Sequence, residues 1–151
     1  MYGKATETAI AAMSRLAEVY DGGETLLSGE QIAESRGLPR PFVAKVLSTL
    51  SHAGLVVGTR GPGGGYTFAD PPKDLSLYDV FCLFEQEDPS GACPFGGGVC
   101  GEGDDCPLHD RLLQVHKAIY RVLHGTTFET FRRAYRKNQG NATWQFTPDA
   151  E

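Results

Sequence analysis

Leu55-Val56-Val57, then Gly58-Thr59-Arg60-Gly61-Pro62-Gly63-Gly64-Gly65, then Tyr66-Thr67-Phe68, is the stretch on which the fold turns. Two short β-branched and aromatic runs flank a glycine-rich tip, which predicts a two-stranded hairpin. Just upstream, Phe42, Val43, Val46, Leu47 and Leu50 recur at helical spacing and predict a helix from about Pro39 to Ala53, stopped by Gly54. Pro41 falls in its first turn, where no needed backbone donor is lost. Further back, Ser28 with Gln31 three residues on has the form of a capping box, opening a helix whose inward face is Ile32 and Ala33. Arg36-Gly37-Leu38-Pro39 is then a turn, with glycine at the helix stop. Helix, short turn, helix, hairpin is the order of a winged helix-turn-helix, with the hairpin as the wing.

The rest of the chain extends that frame. Ala9, Ile10, Met13, Leu16, Ala17 and Tyr20 predict a helix over residues 4–20, ended by Asp21-Gly22-Gly23. Ser76 with Asp79 caps a helix bearing Leu77, Val80, Phe81 and Phe84. Residues 88–106 are too rich in glycine for regular structure. Leu108, Leu112, Val115, Ile119, Val122 and Leu123 mark a long helix of about 107–123. Thr126 with Glu129 is expected to cap a last helix to about Arg136, and the tail from Asn138 carries no periodic pattern. The predicted fold class is mainly α with a small β-hairpin wing. The predicted organisation is a DNA-binding winged helix-turn-helix over residues 1–72, a unit of metal-binding loop and helices over 73–137, and a tail over 138–151.

A net charge of −5 argues against nucleic-acid binding until its distribution is considered. Residues 35–69 contain no acid but include Arg36, Arg40, Lys45 and Arg60, whereas residues 71–110 carry nine acids and only Lys73 as a base. Arg111, Lys117, Arg121, Arg132, Arg133, Arg136 and Lys137 turn the end basic again. The helix of 39–53 is the natural major-groove reader, with Arg40, Phe42 and Lys45 near its N-terminus. Arg40 there can pair with a guanine and Phe42 can press on a thymine methyl, although core packing is an equal alternative for Phe42. At the hairpin tip, Arg60 suits a minor groove, and glycines including Gly63 and Gly64 let the backbone approach DNA. The tip lacks the lysine and Ser/Thr of a phosphate-binding nucleotide loop and joins two strands, which excludes nucleotide binding. No apolar run reaches membrane-spanning length and no apolar leader opens the chain, so the expectation is a cytoplasmic protein with no membrane partner.

The chain has four cysteines, and Cys93, Cys100 and Cys106 fall within 14 residues, followed by His109. Without a secretion signal this bunching favours a metal or redox site over a disulfide framework. Cys106 and His109, three apart at a helix start, can face one side. The acids Glu102, Asp104 and Asp105 disfavour a free reactive thiolate. On spacing alone a tetrahedral Cys3His zinc site, an iron–sulfur cluster and unbound thiols all remain open. Cys82, within the apolar run Val80-Phe81-Cys82, is read as a buried core residue. An enzyme is not indicated: there is no Cys-x-x-Cys, no nucleophile elbow and no paired catalytic carboxylates.

Arg60-Gly61-Pro62-Gly63-Gly64-Gly65-Tyr66, at this spacing after a helix-turn-helix, resembles the wing signature of the IscR/NsrR/RirA family of winged-helix regulators, and the similarity extends from about residue 4 to 136. The resemblance implies a homodimer on a near-palindromic double-stranded operator, joined through the long helix of about 107–123. It implies DNA-facing roles for Arg40, Phe42, Lys45 and Arg60. It also implies an iron–sulfur cluster on Cys93, Cys100 and Cys106, completed by His109 or by Glu7 of the partner subunit. The six-residue spacer between Cys93 and Cys100 is one longer than in the better-known members, so a 2Fe–2S and a 4Fe–4S cluster both stay open. The implied function is a transcription regulator, of repressor type, sensing iron–sulfur status, redox stress or nitric oxide. The alternatives are a winged-helix regulator with a Cys3His zinc site and a cluster-free thiol redox sensor.

Overall fold

Helix α1, Lys4–Glu18, forms the spine, because its alanines, Met13 and Leu16 supply a continuous apolar face. The structure is a computed structural model and describes residues 3–85, 93, 106–138, 140 and 141. Against α1 pack α2 (Gly29–Arg36) and α3 (Arg40–His52). The capping box at α2 forms as expected: the Gln31 N–H donates to Ser28 Oγ at 3.1 Å, and the Ser28 N–H to Gln31 Oε1 at 2.8 Å. Gly37 ends α2 in the left-handed conformation, at φ 65°, and the turn to α3 follows at once.

The wing is the antiparallel pair β1 (Val56–Thr59) and β2 (Gly65–Phe68), with Val56 opposite Phe68 and Thr59 opposite Gly65. Leu27 bridges to Tyr66, so the extended piece before α2 forms a short outer rung. A 3-10 turn at Pro72–Asp74, which periodicity had not indicated, leads to α4 (Leu77–Phe84). Ser76 and Asp79 cap α4 reciprocally, as expected. Then follow α5 (His109–Gly125) and α6 (Glu129–Lys137). Thr126 does not cap α6: the helix starts behind Phe128 without a side-chain cap, because Thr126 is extended and its carbonyl accepts the Leu77 N–H at 2.9 Å. This connection, with the Ser76–Thr127 bridge, returns the chain so that α6 packs on α1.

One apolar cluster runs through these elements, taking Met13 and Leu16 of α1, Ile32 of α2, Val43, Val46, Leu47 and Leu50 of α3, Phe68 of the wing, Val80 of α4, and Leu123 and Phe128 near the C-terminus. Phe128 is fully buried, edge-on to Phe68 at a ring separation of 5.8 Å, and so fastens the wing's base to the returning chain. Full burial of such a side chain stabilises by ~1.5–3 kcal/mol. Among the described residues, charge enters this core at one place. Arg36 is 0% exposed, and its Nη2 donates to Glu18 Oε1 at 2.7 Å and to Ser14 Oγ at 3.1 Å. Arg15 bonds the same carboxylate at 2.8 Å and lies over the Tyr135 ring at 5.5 Å. Burial pulls the Arg15 guanidinium down, but its bonds to Glu18 and Tyr135 outweigh that and hold it above its ordinary value. The network ties α2, α1 and α6 together.

Candidate functional site

Helix α3 opens at Arg40, so its first turn presents Arg40 and Phe42, with Lys45 in the second. Arg40 and Lys45 are exposed and Phe42 is half-buried. Phe42 does not join the buried stripe, contrary to the periodicity reading: it lies about 100° around the helix from Val43, at the edge of the core face, and stays outside the apolar cluster. Arg40 is already engaged. Its Nη1 lies 2.6 Å from Glu30 Oε1, and its Nη2 3.3 Å from Glu34 Oε1. Arg36, counted in the sequence as part of the basic stretch, leaves the surface for its buried pair with Glu18. Of the four cations in residues 35–69, Lys45 and Arg60 are therefore the two without an ion pair among the described residues. His52 turns its Nδ1 to the Ser48 carbonyl of its own helix, at 2.7 Å.

At the wing, Arg60 is exposed directly after β1. The glycines around it divide into two kinds. At Gly63 a side chain would meet open space, although its left-handed φ of 74° favours glycine. At Gly64 a Cβ would lie 2.2 Å from the Thr59 carbonyl oxygen, and at Gly65 2.6 Å from the Leu27 carbonyl oxygen. Gly64 and Gly65 are thus required by closure of the turn on itself and on the strand beside it. Of the wing residues proposed to face DNA, Arg60 and Gly63 are exposed and open to an outside contact.

Cys93 is half-buried and Cys106 exposed, with Cys100 outside the described residues. Cys106 stands just before α5, and its carbonyl accepts the His109 N–H at 3.1 Å, so the two residues share one turn. Glu7 lies in the first turn of α1, with Lys4 Nζ at 3.9 Å. Among the described residues no three His, Cys, Asp or Glu side chains gather, so no three of Cys93, Cys106, His109 and Glu7 meet within one subunit. Three thiols with an imidazole or carboxylate are nevertheless a donor set that iron and zinc both accept, so the residue types fit such a group. One fastening was missed by sequence reasoning. Glu85, at the end of α4, accepts the Gly3 N–H at 2.6 Å and the hydroxyl of buried Thr6, fastening the start of α1 from across the chain. Nothing local signals it, since Gly3 has no capping side chain. Cys82 is exposed rather than buried. Leu77 and Val80 set the inward face of α4, and Cys82 lies about 140° around from Leu77.

Helix α5 is only partly covered. Leu112 and Ile119 are half-buried and Leu123 buried, facing the body of the chain. Leu108, Val115 and Val122, each seven residues from the next, form an exposed apolar stripe, with Val122 55% exposed. No helix among the described residues is long and apolar enough to cross a membrane.

Comparison with known proteins agrees with this architecture. A family model described as Rrf2, iron-dependent transcriptional regulator, matches residues 2–133. The HTH-type transcriptional repressor NsrR of Streptomyces coelicolor is 34% identical over 124 residues, covering 82% of each chain. The HTH-type transcriptional regulator IscR of Cereibacter sphaeroides is 30% identical over 121 residues, 78% of this chain and 77% of its own. The solved structure of T. potens IscR superposes with a TM-score of 0.69 at 25% identity, over 91% of this chain and 90% of that one. The chain belongs to the Rrf2 family and is a winged-helix, DNA-binding transcription regulator rather than an enzyme.

Proposed function

We propose that the chain is a homodimeric repressor whose two heads read a near-palindromic operator and whose DNA affinity responds to an iron–sulfur cluster held by Cys93, Cys100 and Cys106. The observation that carries the DNA half is the pair of exposed cations Lys45 and Arg60, without an ion pair among the described residues, one on α3 and one on the wing tip. In this fold α3 enters the major groove and the wing the minor groove. Residues 1–72 form the reading unit and residues 73–137 the sensing and pairing unit. The seven-residue stripe Leu108, Val115 and Val122 supports pairing through α5, because an exposed apolar seam of this period suits a second helix.

The three thiolates would hold the cluster, with His109 or Glu7 of the partner subunit as the fourth ligand. When bound, the cluster supplies a centre that reacts with oxidants or nitric oxide and responds to iron–sulfur supply. The protein's own part is to carry the resulting constraint. Glu85 and Cys106 bracket the cysteine-bearing segment. Glu85 is bonded to the start of α1, and Cys106 leads directly into α5. Shortening or releasing the segment between them therefore acts on the helix that backs α2 and α3 and on the helix that pairs the subunits. A useful switch needs the two arrangements to differ by a few kcal/mol in their affinity for the controlling ligand.

Anaerobic purification with iron, zinc and sulfide analysis tests the sensing half. Brown protein with stoichiometric iron and sulfide that is lost in Cys106→Ala is the expected result. Colourless protein with stoichiometric zinc would replace it with the Cys3His reading, and metal-free protein with the thiol-sensor reading. A mobility shift on operator DNA tests the reading half: Arg60→Ala should weaken binding at least tenfold, and unchanged binding removes the wing from the interface.

A further inference from the structure

Glu30 and Glu34 stand one turn apart on α2, and both point to the same guanidinium, that of Arg40 at the first position of α3. All three side chains are more than half exposed, at 58%, 59% and 69% for Arg40, Glu30 and Glu34. The arrangement is thus not a structural pair in the core. It sits where the first helix of a helix-turn-helix crosses the DNA backbone and the second begins its base contacts. Two carboxylates offer Arg40 what a DNA phosphate would offer, an anionic oxygen at hydrogen-bonding distance.

We propose that Glu30 and Glu34 are specificity-determining residues that hold Arg40 in an internal, phosphate-like clamp and so suppress binding to non-cognate DNA. This rests on the reading that Arg40 faces DNA. On an arbitrary duplex, Arg40 gains little by exchanging a carboxylate for a phosphate. On the operator, a guanine edge offers paired acceptors that the carboxylates do not reproduce. Exposed pairs exchange readily, because each contributes little in water. The clamp therefore biases the choice of DNA and does not block binding.

The test is a cycle of Glu30→Gln/Glu34→Gln, Arg40→Ala and the triple variant. Each is measured on sonicated genomic duplex and on a duplex selected in vitro by the unaltered protein. The double variant should bind sonicated duplex about fivefold more tightly, with a salt slope steeper by about one contact. The ratio of selected to sonicated affinity should fall. Both gains should vanish when Arg40→Ala is added. The proposal is overturned if sonicated-duplex affinity does not rise, or if the rise survives Arg40→Ala, which would make it simple charge repulsion. Arg40→Ala alone separates the two layers. If it leaves selected-duplex binding unchanged, the underlying placement of Arg40 fails; if it weakens that binding while the cycle is additive, only the clamp fails. Glutamine keeps helix propensity, and thermal melting should register all variants as folded.

Discussion

Replacing Arg36 with methionine keeps most of the side-chain volume and removes the charge. Glu18, 5% exposed, then loses its 2.7 Å partner and keeps Arg15 at 2.8 Å. Ser14 Oγ and the Ala11 carbonyl lose longer bonds, of 3.1 to 3.4 Å, which contribute less. Removing one partner of a buried pair costs about 3–5 kcal/mol. Because Arg15 still compensates Glu18, the lower end applies, about 3 kcal/mol. For a chain of this size that lowers Tm by about 10 °C. Glu18→Met removes the carboxylate that both Arg36, 0% exposed, and Arg15 bond, leaving two cations without it, and should be more destabilising than Arg36→Met. Thermal unfolding followed by circular dichroism at pH 7 reads both. A shift under about 3 °C for Arg36→Met, or a Glu18→Met variant no less stable than Arg36→Met, would refute the reasoning. The first outcome would mean that the pair contributes nothing net. The second would mean that the surroundings, not the charge, set the cost.

Three further outcomes are expected. Gly64→Ala forces a Cβ to within 2.2 Å of the Thr59 carbonyl oxygen and should cost about 3 kcal/mol and weaken operator binding, whereas Gly63→Ala, with open space around it but a left-handed φ of 74°, should cost only about 1 kcal/mol of backbone strain; a Gly63→Ala effect as large as that of Gly64→Ala in mobility shifts and melting would contradict the wing geometry. Asp21 accepts the Thr25 hydroxyl at 2.6 Å and the Thr25 and Glu24 amides at 2.9 and 3.0 Å, which hold its carboxyl below the ordinary range. Its contribution is therefore present above the unfolded-state pKa of about 3.9 and lost as pH falls through the lower folded value. Asp21→Ala should lower Tm at pH 7 by a margin that closes in strong acid, and a margin constant with pH would count against the linkage. Val122→Asp, in the exposed stripe of α5, should give a monomer by analytical ultracentrifugation with Tm in the monomer little changed, and a persistent dimer would place pairing elsewhere.

The reading frame of the head was legible because its signals are local. Ser28 with Gln31, Gly37, and the inward set Val43, Val46, Leu47 and Leu50 each act within a turn or two of the chain, and each appears where expected. What was not legible depends on distant partners. Arg36 reads as surface charge until Glu18 and Ser14, from the preceding helix, close over it. Glu30 and Glu34 lie just outside the acid-free window, yet the turn at Gly37 brings them back onto Arg40. Cys82 was misread because an eight-residue helix with one inward stripe leaves even apolar neighbours facing out. Of the proposed ligands, Cys100 lies outside the described residues, and Glu7 was suggested as a contribution from the second subunit. The cysteine spacing indicates a donor set, but among the described residues no three of its members are gathered.

The bond from Glu85 to Gly3 and Thr6 also has a kinetic meaning. Glu85 fastens the residue before α1 and a side chain in its first turn, so that fastening forms only after residues some 80 positions apart have met. Contacts of such sequence separation carry a large loop-closure cost and form late. The first turn of α1 is then the natural place for local opening in the native protein. Hydrogen exchange at the amides of residues 3–7 should serve as an internal clock for events at the far end of α4, speeding whenever Glu85 lets go.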